Sequence, residues 1–172
     1  MNSARLCGWI AAATVCCLTL AACEAPKPDV TFYGNRTAVS TGPTRWCEVD
    51  VAAEEINCAE AADDEIVRLD IGPGRPVQIN VPEAIGGTPW AVYFRYLNNA
   101  GELADGRTQI FTDGQLAYTL EPFGDQDQLV YVEVQSGFVL TGGVQSGVDF
   151  AVTKSWLLLI DPLAPATPNA AG

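Results

Sequence analysis

Four consecutive residues near the amino terminus, Leu-Ala-Ala-Cys ending at Cys23, have the types and order that bacterial lipid modification requires. Such a cysteine takes up diacylglycerol on its thiol. Residues 6–20 ahead of the motif form an apolar run that is shorter than the ~20 residues of a membrane-spanning helix. The sequence therefore predicts a signal peptide over residues 1–22, cleaved before an acylated Cys23. The alternative is an ordinary signal peptide cleaved near Ala22, with the cysteine incidental.

Acylation of Cys23 would determine where the chain works. A lipoprotein cysteine carries at least two acyl chains, and two chains hold a protein stably to a bilayer, whereas one does not. The lipid-anchored linker, residues 23–29, contains two prolines. Its polar part spans about 20 Å when fully extended. We therefore expect a protein attached to the extracytoplasmic face of the cell membrane, with its folded part close to the bilayer.

The charge of the chain argues against several classes of partner. Removal of the signal peptide takes away one base, Arg5, while all 21 acids stay in the mature chain against the remaining bases of the original 9. A surface with this excess of acid repels phosphate backbones and anionic lipid headgroups. We therefore expect no nucleic-acid partner, and a domain that is held to the membrane by its anchor.

Two cysteines, Cys47 and Cys58, remain in the mature chain beside the anchoring one. In an oxidising compartment an isolated pair is most simply a disulfide, and the spacing excludes a CxxC-type redox or zinc site. Closing a loop of this length stabilises the fold by about 3 kcal/mol in the chain-entropy model. The sequence predicts the Cys47–Cys58 bridge.

The chain contains no histidine. This excludes Ser-His-Asp and Cys-His catalysis and every histidine-ligated metal site. With both mature cysteines bridged, no thiol nucleophile is left, and we predict a protein without catalytic residues, metal or cofactor. Pairs of carboxylates leave one enzymatic alternative, a hydrolase of the glycosidase type, but acids this numerous always offer pairs.

Acidic residues are densest between Glu48 and Glu65, where no Lys or Arg interrupts them. The cluster could bind a divalent cation or a basic partner. A solvated, negatively charged loop is the simpler interpretation, because the spacing matches no calcium loop. Asp125 and Asp127 resemble a fragment of such a loop but lack its other ligands. The candidate acidic patch consists of Glu54, Glu55, Glu60, Asp63, Asp64 and Glu65.

The hydrophobic pattern indicates β-strands throughout the mature chain. Apolar residues alternate with polar ones over residues 67–71, 77–81 and 130–134, which is typical of strands with one buried face. Residues 90–97 and 156–160 are apolar on both faces, and we expect them to be central strands. Residues 51–62 are rich in Ala and Glu and could form one or two helical turns.

Turn signals separate these runs at short intervals. Asp113-Gly114 and Gly34-Asn35 each predict a β-hairpin, and Pro73-Gly74 predicts a type II turn between two strands. Together the strands and turns predict one all-β domain over residues 30–162. Its expected architecture is an antiparallel Greek-key β-sandwich of the immunoglobulin-like kind. The uncharged Pro/Ala-rich tail, residues 163–172, is predicted to be disordered.

Three tryptophans of the mature chain lie in strand-like runs: Trp46, Trp90 and Trp156. Packing in the core of a sandwich is the use that this placement favours. The alternative is that they line a cavity for an apolar ligand between the sheets.

Several short segments resemble one protein family, the small actinobacterial lipoproteins catalogued as domain of unknown function 2771. The resemblance covers about residues 28–160 and implies an exported lipoprotein with a β-rich domain and no known activity. It supplies no functional residues to carry over. The segments are Thr44–Asp50, Arg75–Pro82, Pro89–Trp90, Tyr118–Leu120 and Leu129–Gln135.

Three functions stay open on these observations. The leading hypothesis is a non-catalytic, membrane-tethered module that binds or supports another component of the cell envelope. The second is a carrier that holds an apolar or lipid ligand between its sheets, which requires a dry cavity. The third is the carboxylate hydrolase, which requires two convergent acids in a cleft, one of them partly buried.

Overall fold

The computed structural model describes residues 26–50, 52–53, 55–141 and 149–161. Over these ranges almost all regular structure is β-strand, with a 3₁₀ turn at Asp63–Glu65 and one short helix, α1, at Glu83–Gly86. The all-β prediction is confirmed. The described strands are β1 Val30–Gly34, β2 Thr37–Thr41, β3 Arg45–Asp50, β4 Glu55–Glu60, β5 Val67–Asp70, β6 Val77–Asn80, β7 Trp90–Leu97, β8 Leu103–Arg107, β9 Ala117–Leu120, β10 Gln128–Thr141 and β11 Asp149–Asp161.

The strands form two sheets packed as a β-sandwich. The small sheet has the order β2-β1-β6-β9, and the large sheet has the order β4-β3-β11-β10-β7-β8 with β5 added beside β11. The chain passes repeatedly from one sheet to the other, because β5 belongs to the large sheet and β6 to the small one, and β7 again to the large one. The sequence prediction of a sandwich agrees with this arrangement.

The core lies between the two sheets and follows the predicted alternation. Val77 and Ile79 are fully buried while Gln78 between them is exposed, and Val132 and Val134 are buried on β10. Apolar side chains that alternate in this way pack on the facing sheet and exclude water. The largest fully buried side chains include Trp90, Trp156, Phe32, Ile71, Ile85 and Leu129.

The tryptophans lie where the core-packing interpretation places them. Trp90 and Trp156 are fully buried, and each indole N–H donates to a carbonyl, that of Gln115 at 3.0 Å and that of Pro28 at 2.8 Å. Trp46 lies at the edge of the core, edge-on to Trp156. The rings of Trp90 and Trp156 therefore fill space between the sheets.

β11 is the central strand of the large sheet, as its apolar sequence predicts. It pairs antiparallel with β10 along its length and with β3 at Lys154 and Ser155. Its last residues, Leu158 to Asp161, pair in parallel with β5. This parallel pair is the one departure from antiparallel pairing among the described strands. Turn signals in the sequence do not predict it, because β5 and β11 are far apart in the chain.

One of the three turn predictions is wrong. The hairpin of β1 and β2 is confirmed, although its two turn residues are Asn35 and Arg36, at φ 47° and 64°. The hairpin at Asp113-Gly114 is wrong, because Phe111 pairs with Trp90 in the large sheet whereas β9 pairs with β6 in the small one.

The turn at Gly74 has the positive φ of 66° that was predicted, but it too links strands of different sheets. Gly74 N–H donates to the Asp127 carbonyl at 3.0 Å, and this bond holds the crossover. The prediction of a turn between two strands is therefore confirmed, and the structure adds that the two strands belong to different sheets.

The helical interpretation of residues 51–62 is wrong. Glu55–Glu60 is strand β4, paired antiparallel with β3 so that Cys47 lies opposite Cys58. Helix propensity of Ala and Glu is a weak preference, and a cross-strand disulfide with six paired residues overrides it here.

β10 and β11 extend past the rest of the large sheet as a two-stranded arm, which we define as residues 137–141 and 149–153. β7 accompanies β10 only as far as Ser136, whereas the pairing of β10 with β11 continues to Thr141 and Asp149. At the base of the arm Gly137 adopts φ 67°, and the Thr153 hydroxyl donates to its carbonyl at 2.7 Å. The arm and the Asp161 end of β11 are thus opposite ends of the molecule, about 40 Å apart along the strand.

Candidate functional site

A groove of about 660 Å³ opens at the Asp161 end of the sandwich, far from the arm. Ile71 N–H donates to the Asp161 carbonyl, which places residues 71–76 at that end. The groove lies on the outward side of the small sheet and on the two turns beside it. Its lining is Tyr33, Gly34, Asn35, Arg36, Gly72, Pro73, Arg75, Pro76, Gln78 and Thr119.

Strand register brings the floor of the groove together. Tyr33 on β1 lies opposite Gln78 on β6, and Gln78 lies opposite Thr119 on β9. These three residues alternate with buried neighbours, so their side chains form one row on the outward face. The Tyr33 side chain is exposed, as are Gln78 and Thr119. The row offers an aromatic ring, an amide and a hydroxyl to a ligand.

Two arginines stand above this floor. Arg36 occupies a turn position with φ 64°, which is held because the Asn35 amide donates to the Asp70 carbonyl at 3.1 Å. Arg75 follows the turn at Gly74. Both are exposed, and neither has an ion-pair partner within the described part of the chain.

The charge of the groove is opposite to that of the protein. No Asp or Glu is among its lining residues, although acids outnumber bases by 21 to 9 in the chain. Guanidinium groups bind carboxylate and phosphate oxygens in a planar, two-pronged geometry. The groove therefore offers two guanidinium groups beside an aromatic ring, an amide and a hydroxyl.

A second cavity, of about 480 Å³, lies on the outward face of the large sheet. Its centre is Glu133 on β10, whose Oε2 accepts hydrogen bonds from the Tyr131 hydroxyl at 3.1 Å and from the Gln135 amide at 3.0 Å. Burial, followed by the negative charge of Glu133, raises the pKa of Tyr131 well above its ordinary value. The phenol therefore stays protonated and acts as a donor to Glu133.

The rim of this second cavity carries two more carboxylates. Glu60 is held by Arg45 in an exposed ion pair at 2.9 Å, and Asp63 lies on the 3₁₀ turn. An exposed pair of this kind adds at most about 1 kcal/mol. Glu60 is paired with Arg45 and Glu133 accepts two hydrogen bonds, so these two carboxylates belong to a bonded polar cluster.

The candidate acidic patch is spread along the chain instead of gathered at a point. Glu55 and Glu60 lie at opposite ends of β4, while Asp63, Asp64 and Glu65 form the 3₁₀ turn, where the Glu65 carboxylate accepts from the Ala62 N–H at 3.1 Å. Glu54 lies outside the described residues. Within the described ranges no three acidic or cysteine side chains come together as metal ligands.

Asp125 and Asp127 do not form a calcium loop. The Asp127 N–H donates to the Gly124 carbonyl at 3.0 Å, so the segment closes a tight turn against Gly74. The disulfide prediction, by contrast, is confirmed: Cys47 and Cys58 are bonded across β3 and β4. Cys23, the signal peptide of residues 1–22 and the tail of residues 163–172 lie outside the described residues.

Sequence reasoning missed the groove. Its residues come from β1, β6, β9 and two turns that are distant in sequence, so no local motif marks them. One signal was available: Arg36 and Arg75 have no acidic residue within four positions on either side, which is unusual in a chain this acidic.

Comparison with known proteins identifies one match. A family model described as "Protein of unknown function (DUF2771)" matches residues 23–161. No curated protein and no solved structure matches the chain. No helix within the described residues is long and apolar enough to cross a membrane.

Proposed function

Because the chain belongs to the DUF2771 family of proteins of unknown function, we propose its function from its own geometry. We propose that it is a non-catalytic binding module, anchored by acyl chains on Cys23 to the extracytoplasmic face of the membrane. It presents the groove around Arg36 and Arg75 to an anionic group on another component of the envelope. The observation that carries the proposal is a groove without carboxylates on an acidic protein, whose two arginines have no ion-pair partner among the described residues.

The position of the groove supports this orientation. The linker enters the sandwich where the Pro28 carbonyl accepts from Trp156, and β1 then leads away from that point to the turn at Asn35 and Arg36. Seven residues of extended chain span about 20 Å. An anchor at Cys23 thus leaves the groove on the side that faces away from the bilayer.

Two features support a role in binding without catalysis. The chain has no histidine, and its two mature cysteines outside the anchor are bridged. The partly buried carboxylate of Glu133 is bonded by Tyr131 and Gln135. The groove itself contains arginine, tyrosine, amide and hydroxyl groups, which recognise a ligand but supply no general base near neutral pH.

Binding to a defined acidic polysaccharide, polygalacturonate, tests the groove, with neutral dextran as the uncharged comparison. The double variant Arg36→Gln/Arg75→Gln should lose binding, because local positive charge has to overcome the repulsion of an acidic protein. The matched control is Arg95→Gln/Arg107→Gln, which removes the same charge from exposed positions on the large sheet. Equal loss in both variants, or no binding by the native chain, would contradict the proposal.

Crosslinking in intact cells tests the envelope partner. The native chain should enrich one specific partner, and the Arg36→Gln/Arg75→Gln variant should lose it while the control variant keeps it. A featureless background for the native chain would count against a binding role.

A further inference from the structure

The arm presents apolar side chains to solvent. Leu140 and Phe150 lie opposite each other across the two strands and are 71% and 51% exposed. Phe138 and Val152 form the next pair on the same side and are half-buried. No charged residue occurs over residues 137–140 or 150–153. A contiguous exposed apolar surface of this kind marks a contact with another phase or partner.

The linker meets the sandwich at the base of this arm. Lys27 Nζ lies 5.5 Å from the centroid of the Trp46 ring, and Lys154 Nζ lies 4.4 Å from the same centroid. Pro28 is bonded to Trp156, two residues further along β11. The chain therefore passes from Pro28 to Lys27 in the direction of the arm.

The lengths of the linker and the arm match. Cys23 precedes Lys27 by four residues, so it reaches up to about 14 Å from the Trp46 level. Phe150 precedes Lys154 by four residues, which is about 13 Å along a strand. A bilayer that holds acyl chains on Cys23 therefore comes within reach of Leu140 and Phe150.

We propose that the apolar arm lies against the outer leaflet beside the anchor, at the depth of the lipid headgroups, so that the membrane holds the protein at two points. This inference rests on the acyl anchoring of the proposed function. Trp46 lies at the base of the arm, between Lys27 and Lys154. Tryptophan and lysine side chains favour the membrane interface.

The lipid that suits this surface is zwitterionic. The β3–β4 hairpin runs from Trp46 in the same direction as the arm, because β3 pairs antiparallel with β11. It carries the exposed acids Glu48, Asp50 and Glu55. Their negative charge opposes approach to an anionic bilayer, but it does not oppose approach to a neutral surface of phosphatidylcholine.

The test uses the mature chain with Cys23→Ser and a histidine tag at its amino terminus, bound to nickel-chelating lipid in phosphatidylcholine vesicles. Because the chain has no histidine of its own, the tag alone replaces the acyl tether. Leu140→Cys then supplies one free thiol for an environment-sensitive fluorophore, since Cys47 and Cys58 are bridged. The matched control is Leu103→Cys on β8, which is 51% exposed and lies at the other end of the large sheet.

On vesicles, we expect the emission of the label at position 140 to shift to shorter wavelength and to be quenched by nitroxide-bearing headgroups, with no change at position 103. Adding Phe150→Ser should remove the shift, and anionic vesicles should weaken it. An unshifted label at position 140, or equal shifts at both positions, would overturn the proposal. The mass of Cys23 in the native protein separately decides the acyl anchor, so the two proposals fail by different results.

Discussion

The two ends of the sandwich differ in chemistry although the same two sheets build both. The arm end is apolar, with Leu140 and Phe150 exposed and with Trp46 between two lysines. The groove end is polar and locally basic, with Arg36 and Arg75 above Tyr33. The ends are joined by β11 and by the core around Trp156. In the two proposals above, attachment and recognition thus lie at opposite ends of the sandwich, separated by the length of one strand.

The largest effect is expected where the linker joins the core. Trp156→Ala removes a fully buried ring and the bond to the Pro28 carbonyl. The free energy of unfolding should fall by about 3–5 kcal/mol, measured by chemical denaturation. Leu103→Ala, at an exposed position, should change it by no more than about 0.5 kcal/mol. A similar small change for Trp156→Ala would show that the linker end is not part of the cooperative core.

The second-largest change in stability is expected on removal of the disulfide. Replacing Cys47 and Cys58 by alanine should lower the free energy of unfolding by up to about 3 kcal/mol. Hydrogen exchange should accelerate in β3 and β4 more than in the core strands, because the bridge ties this hairpin alone. The unreduced native protein should resist thiol-reactive label at both cysteines. Labelling without reductant would contradict the bridge.

The turn beside the groove can be tested by comparing Gly74 with a glycine of similar φ elsewhere in the chain, Gly114. Gly74 and Gly114 have φ of 66° and 77°, but a Cβ at Gly74 would collide with the Asp125 backbone, whereas nothing lies near Gly114. Gly114→Ala should cost about 1–2 kcal/mol for backbone strain alone. Gly74→Ala should cost more and should weaken polygalacturonate binding as well. Thermal unfolding measures both variants. Equal losses of stability in Gly74→Ala and Gly114→Ala would show that the turn at Gly74 is not part of the rigid fold.

The smallest effect concerns the polar cavity between the two ends. The pKa of Tyr131 is raised by burial and then by the charges of Glu133 and Tyr93, against a smaller lowering by Arg45. A raised pKa in the folded state means that the native protein keeps its proton when the unfolded chain loses it, so stability is lost as pH rises above about 10. Tyr131→Phe should make the decline in stability above that pH shallower. If the decline in stability is unchanged in Tyr131→Phe, other titrating groups cause it.

Strand identity could be read from the sequence because burial repeats locally. Alternation alone predicts two of the strands, through the buried pairs Val77 with Ile79 and Val132 with Val134. The Cys47–Cys58 bridge was also predictable, from the number of cysteines that follow the predicted signal peptide. The destinations of the turns at Gly74 and Asp113-Gly114 were not, because a turn fixes local direction and long-range packing chooses the sheet.

The groove was beyond sequence reasoning for the same reason. Tyr33, Gln78 and Thr119 become neighbours through strand register, which is set by the core side of each strand and not by the outward residues themselves. The failed helix prediction at residues 51–62 shows the converse, since composition there favoured a helix while pairing with β3 produced a strand.

The partners of β11 have a consequence for biosynthesis. Because β11, the last of the described strands, pairs with β3, β5 and β10, the large sheet lacks its middle until residue 161 has been synthesised. Earlier portions of the polypeptide cannot complete the tertiary structure on the ribosome. A central strand that is synthesised this late delays folding of the nascent polypeptide, which would suit the export on which the proposed function depends.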